Sequence, residues 1–387
     1  MSSLTPASCV PDLDRQWLDR AAAMAVRGFG RVAPNPLVGC IVLDADGAMA
    51  GSGLHRRCGD DHAEVEAIHD AGNCAAGGTM YVTLEPCNHT GRTPPCTQAI
   101  VAAGISRVVI GTNDPHAESG DGIGTLRAAG VEVEVIDHHP SADVSAPFRY
   151  RLETGLPWLI AKWAQTVDGA IATRTGDSQW ISSQASRALV HRHRGRVDAI
   201  LTGIGTAMAD DPQLTARNVR LRTVARRIVI DPSLRLPLDS NLIATIGQAP
   251  LTVVCLEASG DSRHAELEAA GVEVVSQPGQ SGRLVLRDVL GDLAKRHDLS
   301  HILVESGPGL MYSLLKEDLV RELAVFIAPM LLGDGQALPP LDGLSPLRII
   351  QARHLELHAT HRRGDDVLLR YWVEAIGSPN ASADNGR

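Results

Sequence analysis

Two runs decide how this chain is read: Asp61-His62-Ala63-Glu64-Val65-Glu66-Ala67, and Leu84-Glu85-Pro86-Cys87-Asn88-His89-Thr90-Gly91-Arg92-Thr93-Pro94-Pro95-Cys96. The first predicts a helix from His62 to Ala71 with Val65 and Ile68 inward. A helix begun at His62 points free backbone N–H groups toward whatever His62 binds. Gly77-Gly78 then breaks the chain. Thr79 to Leu84 reads as a strand running toward Cys87, and Cys96 to Ala103 as a short helix. His62, Cys87 and Cys96 can give three ligands to a tetrahedral Zn²⁺ and leave the fourth position to water. Glu64, two residues after His62, can reach that water without being a ligand. A carboxylate there can carry a proton to a leaving amine. The alternative is a closed structural site, which wants a fourth protein ligand. His89 is the near candidate for that ligand; a substrate contact or a solvent-exposed place are its other readings. Glu66 and His69 read as surface residues.

Upstream, Leu13 to Arg27 predicts a helix with Leu13, Trp17, Ala21 and Met24 on one face, after a loose tail at 1–11. Ala33-Pro34-Asn35-Pro36-Leu37-Val38-Gly39 follows, with a strand to Leu43. Asn35 sits at the mouth of that strand, where it is either a turn residue or a ligand contact. Downstream, Arg107–Gly111 and Val131–Ile136 read as strands. Strands alternating with helices make an α/β layer. His138 to Tyr150, polar and with two Pro, reads as the joint between domains at 12–145 and 150–376.

The second part repeats the alternation. Strands are expected at Trp158–Ala164, Ala199–Thr202, Arg227–Ile230, Leu251–Leu256, Val272–Val275, His301–Val304, Leu323–Ala328 and Val367–Val373. Helices are expected at Gln184–Arg194, His264–Ala270, Leu284–His297 and Gly309–Lys316, and a polar tail from Gly377. No G-x-G-x-x-G follows a first strand, so a Rossmann site is unsupported. Val304-Glu305-Ser306-Gly307-Pro308-Gly309-Leu310-Met311 runs strand, glycines, helix; such a turn either cradles a pyrophosphate or only starts the helix.

The 387 residues suffice for two domains, and 44% hydrophobic with 21% charged residues is ordinary for a globular chain. A net charge of −9 argues against a nucleic-acid surface, but leaves room for a small phosphorylated ligand in a local basic pocket. Seven Cys, an odd number without disulfide-like spacing, point to a reducing cytosol and a cytoplasmic protein. The first residues lack the pattern of a signal peptide, and no apolar run is long enough for a membrane span.

His-x-Glu followed by Pro-Cys is the signature of the zinc base deaminases, here with eight residues between Cys87 and Cys96. With Ala33–Gly39 and the Gly91-Arg92-Thr93-Pro94-Pro95-Cys96 insertion, it resembles the bifunctional deaminase/reductase family of riboflavin biosynthesis. The second part resembles the reductase half of that family through Lys162–Gly169, Asp177–Ile181, Asp210–Arg217 and Glu305–Pro308. The resemblance implies a cytidine-deaminase-like three-layer α/β domain followed by a dihydrofolate-reductase-like domain. It implies zinc on His62, Cys87 and Cys96, with Glu64 as proton shuttle. It implies NADPH contacts at Ala164, Trp180, Thr206, Asp210, Gly307, Pro308, Gly309, Leu310, Met311, Tyr312 and Ser313. Substrate contacts would fall on Asn35, Ser178, Arg194, Leu214, Arg217 and Glu305. Arg194 and Arg217 suit this role, since a guanidinium forks onto a phosphate. Glu305 and Asp210 are candidate proton donors to the reduction. The implied substrate is a phosphorylated diaminopyrimidinone ribosylamine, and the implied assembly is a homo-oligomer through the reductase domain. The alternative is a deaminase alone, with a silent C-terminal dimerisation domain. Three places depart from the family: the 114–122 loop, the Val144–Phe148 joint, and Thr166-Val167 before Asp168.

Overall fold

The computed structural model describes residues 12–90, 94–115, 120–257 and 259–373. The two tails and the Gly91–Thr93 part of the insertion lie outside these, as do positions 116–119 of the altered loop. The chain divides into two compact units, Met1–Gly155 and Leu156–Arg387.

The first unit runs α1 (Asp12–Ala25), β1 (Gly39–Leu43), β2 (Met49–Leu54), α2 (Ala63–Ala71), β3 (Thr79–Val82), α3 (Cys96–Ala102), β4 (Arg107–Ile110), α4 (Gly122–Ala128), β5 (Glu132–Val135), α5 (His139–Thr154). Its sheet has the order β2-β1-β3-β4-β5; β1 is antiparallel to both neighbours, and β3, β4 and β5 are parallel. The strand period of two sends alternate residues to opposite faces. Cys40, Val42, Met80, Val82, Val108 and Ile110 pack with Ala63, Ala67 and Ala71 of α2. Ile41, Leu43, Tyr81 and Val109 pack with Leu18 and Ala21 of α1. Two separate cores on one sheet make the three layers.

Strand β2 was not expected from the sequence, because Met49-Ala50-Gly51-Ser52-Gly53-Leu54 is poor in strand formers. Its glycines answer to packing. A Cβ on Gly51 would lie 2.4 Å from the Ala67 carbonyl oxygen, and one on Gly53 2.2 Å from that of Ala63. The bare backbone lets α2 seat directly on the sheet, and this fixes where His62 and Glu64 point. The stretch His138–Tyr150, expected as a joint, is helical from His139 onward, in α5. Pro140 falls in the first turn, where no N–H is needed. Pro147 sits inside the helix and forgoes one backbone bond. The helix stops at Gly155 in the left-handed region (φ 71°), where glycine is favoured.

The second unit runs β6 (Trp158–Thr166), α6 (Gln184–Arg194), β7 (Ala199–Gly203), α7 (Ile204–Asp210), β8 (Arg226–Ile230), α8 (Asn241–Ala244), β9 (Leu251–Leu256), α9 (Asp261–Ala269), β10 (Glu273–Gln277), β11 (Gly279–Gln280), β12 (Arg283–Leu284), α10 (Leu286–His297), β13 (His301–Val304), α11 (Pro308–Lys316), β14 (Val320–Ala328), β15 (Leu355–Arg363), β16 (Asp366–Val373). Nine strands form one sheet in the order β10-β9-β8-β7-β13-β6-β14-β16-β15. All neighbours are parallel up to β14; β16 and β15 close the sheet antiparallel. The central strands are nearly continuous apolar runs, as strands covered on both faces require. Strand β15 went unread because it is an edge strand, Leu-Glu-Leu-His-Ala-Thr-His-Arg-Arg, exposed along most of its length.

Candidate active sites

In the first unit the structure brings together His62, Cys87 and Cys96, whose ligand atoms all lie within 4.8 Å of one another. His62 is the N-cap residue of α2 and Cys96 the first residue of α3. Cys87 follows β3 and accepts from the Cys96 backbone N–H at 3.5 Å. His62 Nδ1 stands 3.2 Å from Cys96 Sγ and 3.5 Å from Cys87 Sγ. Bonds of about 2.0 Å to nitrogen and about 2.3 Å to sulfur give tetrahedron edges of about that length, so the donor set fits zinc. The Cys87 thiol is pulled well below the usual thiol range by a hydrogen bond from Cys96, against its burial and with help from His62. Cys96 is pushed up by the same thiolate and by burial. A dication bound between two such groups releases the second proton. Glu64 is 3% exposed, and burial raises its carboxyl pKa. That shift suits a group that must take up and give back a proton.

Asn35 stands at the same site, its Nδ2 3.1 Å from His55 Nε2. His55 Nδ1 lies 3.1 Å from the Asp61 carbonyl oxygen, which can only accept. Burial lowers the pKa of His55. The ring is therefore neutral, with its proton on Nδ1, and Nε2 accepts from Asn35. Sequence reading missed His55: a lone His seven residues before His62 carries no pattern. Its ring meets that of His62 edge-on, with centroids 5.3 Å apart. His89 is exposed. Glu85 ties the turn at Cys87 to the departing loop, accepting from the N–H groups of Asp114 and Ile123 at 3.4 and 3.3 Å.

The second unit holds a cleft of about 1950 Å³. Ala164, Trp180, Thr206, Asp210, Gly307, Pro308, Gly309, Leu310, Tyr312 and Ser313 line it, with Ser178, Arg194, Leu214, Arg217 and Glu305. Met311 does not. It is 1% exposed and belongs to the core, because α11 turns one residue in each cycle back toward the sheet. Thr206 Oγ1 accepts from the Gly307 N–H at 2.8 Å and so shapes the turn before α11. No side chain caps α11, and its leading N–H groups are left for a ligand. Trp180, 65% exposed, carries Arg187 over its ring at 4.6 Å.

Glu305 departs from expectation. Its carboxylate is forked by Arg194, at 2.6 Å to Nε and 3.0 Å to Nη2, and Lys162 Nζ lies 3.5 Å away. Burial raises its pKa, but Arg194 and Lys162 outweigh this and hold it at about 2. Glu305 is therefore an acceptor, not a proton donor. Arg194 in turn spends its third face on the Thr215 carbonyl at 3.2 Å, so it does not present a free fork. Arg217 does: Nη1 bonds Gln213 and Thr215, while Nε and Nη2 have no partner among the described residues. Burial and the neighbouring Arg194 cation both lower the pKa of Arg217. An arriving anion relieves that crowding.

The chain was compared with known proteins. Residues 11–112 match the model of the cytidine and deoxycytidylate deaminase zinc-binding region, and residues 157–369 that of the RibD C-terminal domain. The riboflavin biosynthesis protein RibD of Aquifex aeolicus (strain VF5) is 39% identical over 86% of this chain and 91% of its own length. The solved structure of Acinetobacter baumannii RibD, form 1, has a TM-score of 0.78 at 33% identity, covering 93% of this chain and 99% of that one. A Thermotoga maritima diaminohydroxyphosphoribosylaminopyrimidine deaminase/5-amino-6-(5-phosphoribosylamino)uracil reductase has a TM-score of 0.79 at 30% identity, covering 94% and 99%.

Proposed function

We propose a two-step reaction for this chain, which belongs to the RibD family and is a bifunctional deaminase and reductase of riboflavin biosynthesis. The first unit is cytidine-deaminase-like and the second dihydrofolate-reductase-like. The substrate is 2,5-diamino-6-(5-phosphoribosylamino)pyrimidin-4-one, deaminated in the first unit. The 5-amino-6-(5-phosphoribosylamino)uracil so formed is reduced in the second. The observation that carries this reading is the pairing of a three-donor metal site beside buried Glu64 with an arginine-lined cleft in one chain.

For deamination, His62, Cys87 and Cys96 hold one Zn²⁺, which supplies an activated water when bound. Glu64 carries the proton between that water and the leaving amine through its carboxylate oxygens. Asn35, its nitrogen committed to His55, offers its amide oxygen to the N–H groups of the pyrimidine. For reduction, NADPH, when bound, would supply the hydride needed at C1′ of the ribose in its open imine form. The N-terminus of α11 receives the pyrophosphate, with Thr206 holding Gly307 in place. Arg217 takes the substrate phosphate with its free Nε and Nη2. Glu305, fixed by Arg194 and Lys162, accepts hydrogen bonds from the substrate and orients it against the nicotinamide. Of the two carboxyls Asp210, whose pKa is raised, is the one suited to give a proton.

The exposed nine-residue edge β15, with Leu355 and Leu357 outward, supports a homo-oligomer through the second unit. Among the described residues Cys40, Cys74, Cys87, Cys96 and Cys255 are in no disulfide, which supports a reducing, cytoplasmic setting. No helix of the described residues is long and apolar enough to cross a membrane. The test is incubation with the diaminopyrimidinone phosphate, with and without NADPH, followed by mass analysis. Deaminated product alone is expected without NADPH, and deaminated, reduced product with it. Reduction without prior loss of the amine would overturn the proposed order.

A further inference from the structure

Arg227 is the largest wholly buried side chain among the described residues. It lies on β8, between β7 and β9. A buried arginine normally faces a carboxylate. Here none of the described residues supplies one. Nη1 donates to the Gln213 carbonyl at 3.1 Å and to Thr245 Oγ1 at 2.7 Å. Nη2 donates to the carbonyls of Thr245 at 3.3 Å and Ala249 at 2.5 Å. Burial alone lowers its pKa, to about 10, so the side chain stays a cation at neutral pH. Ile228, Val229 and Ile230 beside it are ordinary core residues. A charge in such a core carries a desolvation cost, and its contacts show what it holds.

What it holds is one wall of the cleft. The Asp211–Arg217 segment lines the cleft and includes Leu214 in the left-handed region at φ 51°. Gln213 faces both ways. Its carbonyl is gripped by Arg227, and its Oε1 accepts from Arg217 Nη1 at 3.0 Å. Behind it, Asn241 binds Asp211 through its backbone N–H at 2.8 Å and its side-chain amide at 2.8 Å. Thr245 closes the circuit by donating to the Asn241 carbonyl at 2.6 Å. Arg227 thus pins two backbone segments together, one of them carrying the Gln213 side chain that Arg217 meets.

We propose that Arg227 is a positioning residue of the reductase, which fixes Arg217 through Gln213 and so sets the affinity for the substrate's phosphate. This rests on the reading of Arg217 as the phosphate ligand. The probe is inorganic phosphate as a competitive inhibitor of the reduction, measured in the full chain beside NADPH affinity and deamination rate. Arg217→Ala should weaken phosphate inhibition about tenfold, roughly 1.4 kcal/mol. If it does not, the underlying reading fails. Arg227→Met should weaken phosphate inhibition by a similar factor and raise KM for the substrate, with NADPH affinity and deamination unchanged. Arg227→Lys, which keeps the charge and fewer donors, should fall between. The double variant Arg217→Ala/Arg227→Met should be no weaker toward phosphate than Arg217→Ala alone, because both act on one contact. Phosphate inhibition lost in Arg217→Ala but intact in a folded Arg227→Met overturns the proposal and spares the reading. Where Arg227→Met does not fold, Gln213→Met decides. It leaves the core arginine in place and cuts its link to Arg217, so unchanged phosphate inhibition in that variant also overturns the proposal.

Discussion

Glu305 is ionised at a buried position only because Arg194 and Lys162 outweigh the burial. Its pKa falls from an ordinary 4.5 to about 2 on folding. A depressed carboxylate contributes stability above its unfolded pKa and loses it as pH falls toward the folded one. That contribution is on the order of 3 kcal/mol at neutral pH and should disappear between pH of about 4.5 and 2. Removing the partner strands the charge instead. Arg194→Ala should cost the second unit about 3 kcal/mol in denaturant unfolding at neutral pH, with the loss shrinking in acid. An Arg194→Ala cost that does not change with pH would deny the pairing its electrostatic role. In the first unit, metal analysis of a Cys87→Ser, Cys96→Ser double variant should show zinc lost from about one ion per chain. The grouping of His62, Cys87 and Cys96 could be read from sequence because His-x-Glu and Pro-Cys are short local patterns. His55, Lys162 beside Glu305, and Arg227 could not, since each acquires its partner only through the fold.

The helix α11 carries the clearest prediction about an element. A Cβ on Gly309 meets nothing within 4 Å, so a side chain there has room within the protein and intrudes only on a ligand. Gly309→Val should keep the thermal midpoint and weaken NADPH binding by about tenfold or more, read by titration. Unchanged affinity would remove the pyrophosphate from this helix. Most elements were legible because their periods are regular: α6 and β9 lie where the apolar spacing puts them. The misses have local causes. Helix α5 is capped by His138, whose side chain accepts from the Ser141 N–H at 3.3 Å, a residue outside the usual capping set. Its two prolines then read as a linker. The glycines of β2 carry no strand signal, and their place is explained only by the close seating of α2. Met311 lies in the run that the resemblance gives to the cofactor, but a helix cannot present every residue to one side and Met311 faces the core.

At the scale of the molecule, the two units have separate cores and separate chemistry. The first sets a buried carboxyl beside three metal donors, for the proposed deamination. The second offers, for the proposed reduction, Arg217 to a phosphate and a helix end to a cofactor. Chelation should therefore stop deamination and leave reduction running, provided the deaminated pyrimidine is supplied. The most direct test of this division is Glu64→Gln, which keeps the size of the side chain and removes its proton-carrying oxygen. The variant is given the diamino substrate in one assay and the deaminated pyrimidine with NADPH in another. The account predicts no deamination in the first and an unchanged rate of NADPH consumption in the second. Loss of NADPH consumption in a folded Glu64→Gln protein, or deamination that survives the substitution, would contradict it.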